Sequence, residues 1–150
     1  MIIGIPSEIK AGEKRVAMSP ANVQSLTDRS VKVLIQADAG SAAGYPDAEY
    51  SAAGATITAD RAEIFASADI ILQVQSFGSN NENSDDDLAR LRSGQLIIGM
   101  MDPLASPQAA QAVADRGATA IALELVPRIS RAQSMDVLSS MATLAGYKAV

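Results

Sequence analysis

Short aliphatic runs alternate along the chain with segments whose apolar residues recur at helical spacing. Residues 1–5 (MIIGI), 31–37 (VKVLIQA), 69–75 (DIILQVQ), 95–101 (QLIIGMM) and 119–125 read as strands, with a brief one at 55–58. Between them, Ser19-Pro20 and Ser106-Pro107 each place a capping hydroxyl before a proline, which predicts two helix starts. The first of these helices runs to residue 29, and Gly117 ends the second. Shorter helices are expected at 46–53, stopped by Gly54, and from a cap at Asp60 to residue 67. A last helix runs from Gln133 to the end of the chain.

Buried Ile, Val and Leu runs alternating with helices predict an α/β fold. The sheet is parallel, with helices on both faces, in a three-layer sandwich of flavodoxin-like or Rossmann-like kind. Ligands in such folds bind beyond the carboxyl ends of the strands, so the loops after Ile5, Gln75, Met101 and Leu125 are the ones to watch. Residues 76–87 (SFGSNNENSDDD) break the pattern. They read as a mobile surface loop capping a helix at Leu88, with a spacing that matches no Ca²⁺ loop. Val150 falls inside the last helix with no Gly, Pro or polar tail to stop it, so a longer protein is expected.

Composition narrows the chemistry. With 150 residues, 48% hydrophobic, the chain can build one domain core. Twelve basic against seventeen acidic residues give a net charge of −5, which lacks the basic footprint of a nucleic-acid binder. There is no cysteine and no histidine, so the usual soft metal ligands and the usual neutral-pH general base are both missing, and no metal site is expected. No apolar run approaches the ~18 residues of a membrane helix, and the apolar start is too short for a signal peptide.

Three segments are candidates for chemistry. Asp38–Gly44 (DAGSAAG) looks like a dinucleotide fingerprint, but only Gly40 falls in register and Pro46 delays any following helix. It reads as an ordinary glycine loop, and no other segment supplies the fingerprint. Glu8 with Lys14 and Arg15 follows the first strand, where an arginine can clamp a carboxylate; a surface Glu–Arg pair is the plainer alternative. The third is PRISRAQSMD at 127–136, running into the last helix. At 100° per residue Asp136, Ser139, Ser140, Thr143 and Tyr147 share one stripe with Gln133 at its edge. Small hydroxyls, one Tyr and one Asp suit contact with a ligand, and they equally suit packing against a second domain.

The stretch P-R-I-S-R-A-Q-S-M-D-x-L-S-S-M-A-x-x-A-G-Y-K-A closely resembles the NAD(H)-binding alpha subunit of proton-translocating NAD(P) transhydrogenases. The opening G-I-P-S-E-I-K-x-G-E-x-R-V-A-x-x-P is similar to the same family and is shared with alanine dehydrogenases. The resemblance spans the chain and departs at 76–87. It implies that residues 1–132 form the N-terminal subdomain and that 133–150 begin a linking helix into a Rossmann subdomain outside this chain. It also implies an NAD(H) site whose nicotinamide end meets Arg128, Ile129, Ser130, Arg131, Gln133, Asp136 and Ser139, with Gln133 and Asp136 positioning the ring rather than acting as acid or base. NADP(H) on a beta subunit, a homodimer of alpha, and a peripheral place on the cytoplasmic side of the inner membrane follow from the same resemblance. An alanine dehydrogenase needs a Lys and a His where this chain carries Gln75 and Asp102. That reading, and a non-catalytic binding or dimerisation fragment, are the alternatives.

Overall fold

A computed structural model describes residues 1–80 and 84–149. Six strands form one sheet: β1 (Ile2–Ile5), β2 (Lys32–Gln36), β3 (Thr56–Thr58), β4 (Ile70–Gln75), β5 (Leu96–Met100) and β6 (Thr119–Ala122). All pairings are parallel and the spatial order is β3-β2-β1-β4-β5-β6. The helices are α1 (Pro20–Thr27), α2 (Asp47–Ala52), α3 (Arg61–Ser67), α4 (Ser84–Arg90), α5 (Pro107–Asp115) and α6 (Val137–Ala149). The α/β class and parallel sheet predicted from the alternation are thus what the chain adopts.

Two cores lie on opposite faces of the sheet. Val23 of α1, Tyr50 of α2 and Ala53 just after it pack on Ile3, Ile5, Val33 and Ile35. On the other face Ile64 and Phe65 of α3 and Val113 of α5 cover Leu34, Ile71 and Ile97. Strand order reverses between β1 and β4, where pairing is confined to Ile3 with Ile70 and Gly4 with Ile71. Beyond that pairing the Glu8 carboxylate links the two segments by accepting the N–H groups of Val74 (2.6 Å) and Gln75 (2.9 Å). A register shift between β4 and β5 falls at the same place, between Leu72 and Gln75.

Several local expectations change in three dimensions. Asp60 caps α3 through Ala62 N–H at 2.8 Å, but the hydroxyls of Ser19 and Ser106 make no capping bond although each precedes its proline. The predicted surface loop at 76–87 is built in at its start and at Asp87. Ser76, Phe77 and Asn80 are buried, Phe77–Ser79 forms a 3₁₀ turn, and α4 begins at Ser84 rather than near Leu88; residues 81–83 lie outside the described residues. The reason is a distant partner. Asp87 is 2% exposed and is held by both guanidinium arms of Arg61, at 2.7 and 2.6 Å, while Asp85 and Asp86 stay in the first helical turn, where negative charge suits the macrodipole. β6 stops at Ala122, not at Leu125, because Leu123–Leu125 turn as a 3₁₀ segment that aims Glu124 at the N–H groups of Met101 and Asp102.

Candidate functional site at the start of the last helix

The last helix does not begin at Gln133. Ser130–Met135 is a 3₁₀ segment anchored by buried Ala132, and α6 starts at Val137. Asp136 stands between them. Its Oδ1 accepts the N–H of Ser139 (2.9 Å), which is capping geometry, and its Oδ2 accepts the Ser139 hydroxyl (2.6 Å). Gln133 therefore sits on a tighter turn, and its relation to the stripe is set by that turn and not by α-helical spacing.

Arg128 completes the group from the preceding loop. Its Nη2 donates to Ser139 Oγ at 2.9 Å and its Nε lies 3.5 Å from Asp136 Oδ2. The two Ser139 hydrogen bonds, and then the Arg128 charge, hold the Asp136 carboxyl below its ordinary range. Arg128, Ile129, Ser130, Gln133, Asp136 and Ser139 line one polar cavity of about 320 Å³. Arg131 is exposed and lies outside that lining. Farther along the stripe, Ser140 and Thr143 return their hydroxyls to the helix's own carbonyls, at Asp136 (3.0 Å) and Ser139 (2.9 Å). Tyr147 is 84% exposed.

Asp136 also borders a second, mainly apolar cleft of about 360 Å³, walled by Val74 and Met100 at the strand ends, by Met135 and Met141, and by Arg15. Arg15 does not pair with Glu8. Glu13 holds it through two contacts, Nε at 2.8 Å and Nη2 at 2.5 Å, and Glu13 also accepts from Gln75 Nε2 at 3.2 Å. The Arg15 hydrogen bond draws Glu13 down to a pKa of about 2. Burial pushes Glu8 up instead. Sequence reasoning missed Glu13 and Glu124 as structural carboxylates. The i, i+2 spacing of Glu13 and Arg15 was the available signal for the first; nothing local signalled the second.

Gln75 and Asp102 sit at the carboxyl ends of β4 and β5, lining a third cavity with Lys10 and Glu124. An amide and a carboxylate thus stand at these two strand ends, and the lysine of this cavity, Lys10, donates to Ser79 O at 2.6 Å.

Comparison with known proteins identifies the family. The family described as alanine dehydrogenase/PNT, N-terminal domain, matches residues 4–145. The NAD(P) transhydrogenase subunit alpha of Cereibacter sphaeroides is 41% identical over 150 residues, which is all of this chain and 28% of that protein. A transhydrogenase structure from Sinorhizobium meliloti superposes with a TM-score of 0.89 at 41% identity, covering 98% of this chain and 42% of the other. An L-alanine dehydrogenase structure gives 0.77 at 29% identity, covering 87% and 34%. The chain therefore spans less than half the length of these relatives, and it belongs to the alanine dehydrogenase/PNT family, as its N-terminal domain.

Proposed function

We propose that this domain is the N-terminal part of a transhydrogenase alpha subunit and supplies the nicotinamide-side wall of its NAD(H) site. The observation that carries the proposal is the Arg128–Asp136–Ser139 group facing the polar cavity beside an apolar cleft. A carboxamide presents two donors and one acceptor. Asp136 offers acceptor capacity, and Arg128 and Gln133 offer donors, so the residue set fits that group. Bound NADH supplies a hydride for direct transfer to NADP⁺ on a beta subunit. Such a transfer moves no proton at the reacting carbon, so the residues here orient the ring and exclude water. Asp136 and Arg128 are placed to exchange partners as the ring's charge changes.

In this proposal residues 1–132 are the subdomain and 133–150 open the helix that links it to a Rossmann unit. The alpha subunits pair as a homodimer on the cytoplasmic side of the inner membrane, and other parts of the complex couple hydride transfer to proton translocation. No helix among the described residues is long and apolar enough to cross a membrane. The alanine dehydrogenase reading loses support from Gln75 and Asp102, which stand where that chemistry needs a lysine and a histidine.

Calorimetric titration of the full-length alpha subunit with NADH tests the proposal. Binding that weakens about tenfold in Gln133→Ala, the loss of one good hydrogen bond, is the expected result. A full-length subunit that takes up no NADH, or a variant that binds as the parent does, overturns it.

A further inference from the structure

Two ion pairs stand at the apolar cleft, and each is closed within itself. Asp136 is one charged residue of the lining, and its Oδ2 lies 3.5 Å from Arg128 Nε. Arg15 is the other, and Glu13 holds its fork at Nε (2.8 Å) and at Nη2 (2.5 Å). The rest of the lining, with Val16, Val74, Met100, Leu123 and Met141 in it, carries no charge.

The Glu13–Arg15 pair differs from an ordinary surface pair. The Glu13 side chain is 9% exposed, against 37% for Arg15. Its carboxylate is fixed from three further directions. The N–H groups of Lys14 (3.1 Å) and Arg15 (2.9 Å) donate to Oε1, and Gln75 Nε2 donates to Oε2 (3.2 Å). With its pKa drawn down to about 2, Glu13 is ionised throughout the neutral range. Glu8, the other carboxylate of this loop, has its two oxygens engaged by the N–H groups of Val74 and Gln75. Glu13 is therefore the direct counter-charge of Arg15. Without it, the cleft would carry a full positive charge in a wall that is otherwise apolar, where charges act over longer range than in water.

Such a charge distinguishes two forms of one ligand. A dihydronicotinamide ring is neutral and a nicotinamide ring is a cation, so a positive wall disfavours the oxidised form alone. We infer that Glu13, acting through Arg15, is a positioning residue that keeps this wall neutral and thereby sets the relative affinity of the site for NAD⁺ and NADH. The inference rests on the nicotinamide ring lying against this domain, as proposed above. Glu13 moves no proton and takes no part in hydride transfer. Its carboxylate holds the guanidinium and cancels its charge on the side of the ring.

Calorimetric Kd values for NAD⁺ and for NADH, measured on the full-length alpha subunit, test this. In Glu13→Gln the ratio of the NAD⁺ to the NADH Kd rises about tenfold over the parent, because the uncompensated Arg15 repels only the oxidised ring. In Arg15→Gln the ratio falls below the parent's, because the remaining carboxylate attracts that ring. A loop that is merely loosened weakens both nucleotides together and leaves the ratio where it was. An unchanged ratio, or a shift of the same sign in both variants, overturns the inference. Where one variant does not fold, the sign of the other decides. A parent subunit that binds neither nucleotide overturns the site proposed above and this inference with it, whereas a parent that binds both while the variants keep its ratio overturns the inference alone.

Discussion

Asp136 grips Ser139 twice, taking its backbone N–H with one carboxylate oxygen and its hydroxyl with the other. One side chain thus starts α6 and fixes the hydroxyl that Arg128 also reaches. Helix start and candidate ligand site are the same atoms.

Replacing Asp136 separates the two roles. Asparagine caps a helix about as well as aspartate, so Asp136→Asn costs less than about 1 kcal/mol of stability. It removes the charge that faces Arg128. In the complete subunit, hydride transfer slows more than NADH affinity weakens; stopped-flow transfer rates set against calorimetric Kd values measure this, and equal losses refute partner exchange by Asp136.

The two carboxylates of the β1–α1 loop give opposite pH signatures. Glu13 titrates at about 2 against an ordinary 4.5, so its contribution to stability is present at neutral pH and is lost as pH falls from 4.5 through about 2. Glu8 is raised by burial, so what its titration contributes is present at low pH and is lost as pH rises through its elevated value. Denaturation curves across pH check both signs. Glu13→Gln flattens the acid limb, and Glu8→Gln removes a loss that sets in above the ordinary glutamate range.

Asp87→Asn leaves the Arg61 guanidinium enclosed without its counter-charge. Arg61 is 15% exposed and Asp87 4% at their side chains, and Arg61 also donates to Ser7 O (2.7 Å) and Gln36 Oε1 (3.0 Å). Breaking one side of a buried pair of this kind lowers unfolding free energy by about 3 kcal/mol. The urea midpoint falls accordingly. Arg61→Lys is destabilising too, because an ammonium cannot span the two carboxylate oxygens.

Gly4→Ala forces β1 away from α3. A Cβ there would stand 2.6 Å from Ile64 Cγ2 and 2.8 Å from Ala68 Cβ, an overpacking that costs about 1–3 kcal/mol. Gly12→Ala meets open space and is strained only by its φ of +81°, a cost of about 1 kcal/mol. The difference in thermal midpoint between the two variants reports the helix–strand contact.

The strands and helices were legible because aliphatic runs and helical spacing are local properties. Asp60, Gly54 and Gly117 mark boundaries through their own backbone and side chain, and α3 starts, and α2 and α5 stop, beside them. The order β3-β2-β1-β4-β5-β6 was not legible, and with it went every partner it decides. Glu8 meets Val74 only once β1 and β4, nonconsecutive along the chain, lie side by side, and Arg61 meets Asp87 and Glu124 meets Met101 only once their elements pack on the same sheet. An acidic run such as 84–87 looks solvated in sequence because hydropathy records each side chain's cost in water and not the guanidinium waiting for one of them. The sequence by itself determined which segments are strands, which are helices, and that histidine and cysteine chemistry is absent from them. The tertiary structure alone decided that Glu8, Asp87 and Glu124 are structural carboxylates, because their partners lie far apart from them along the chain.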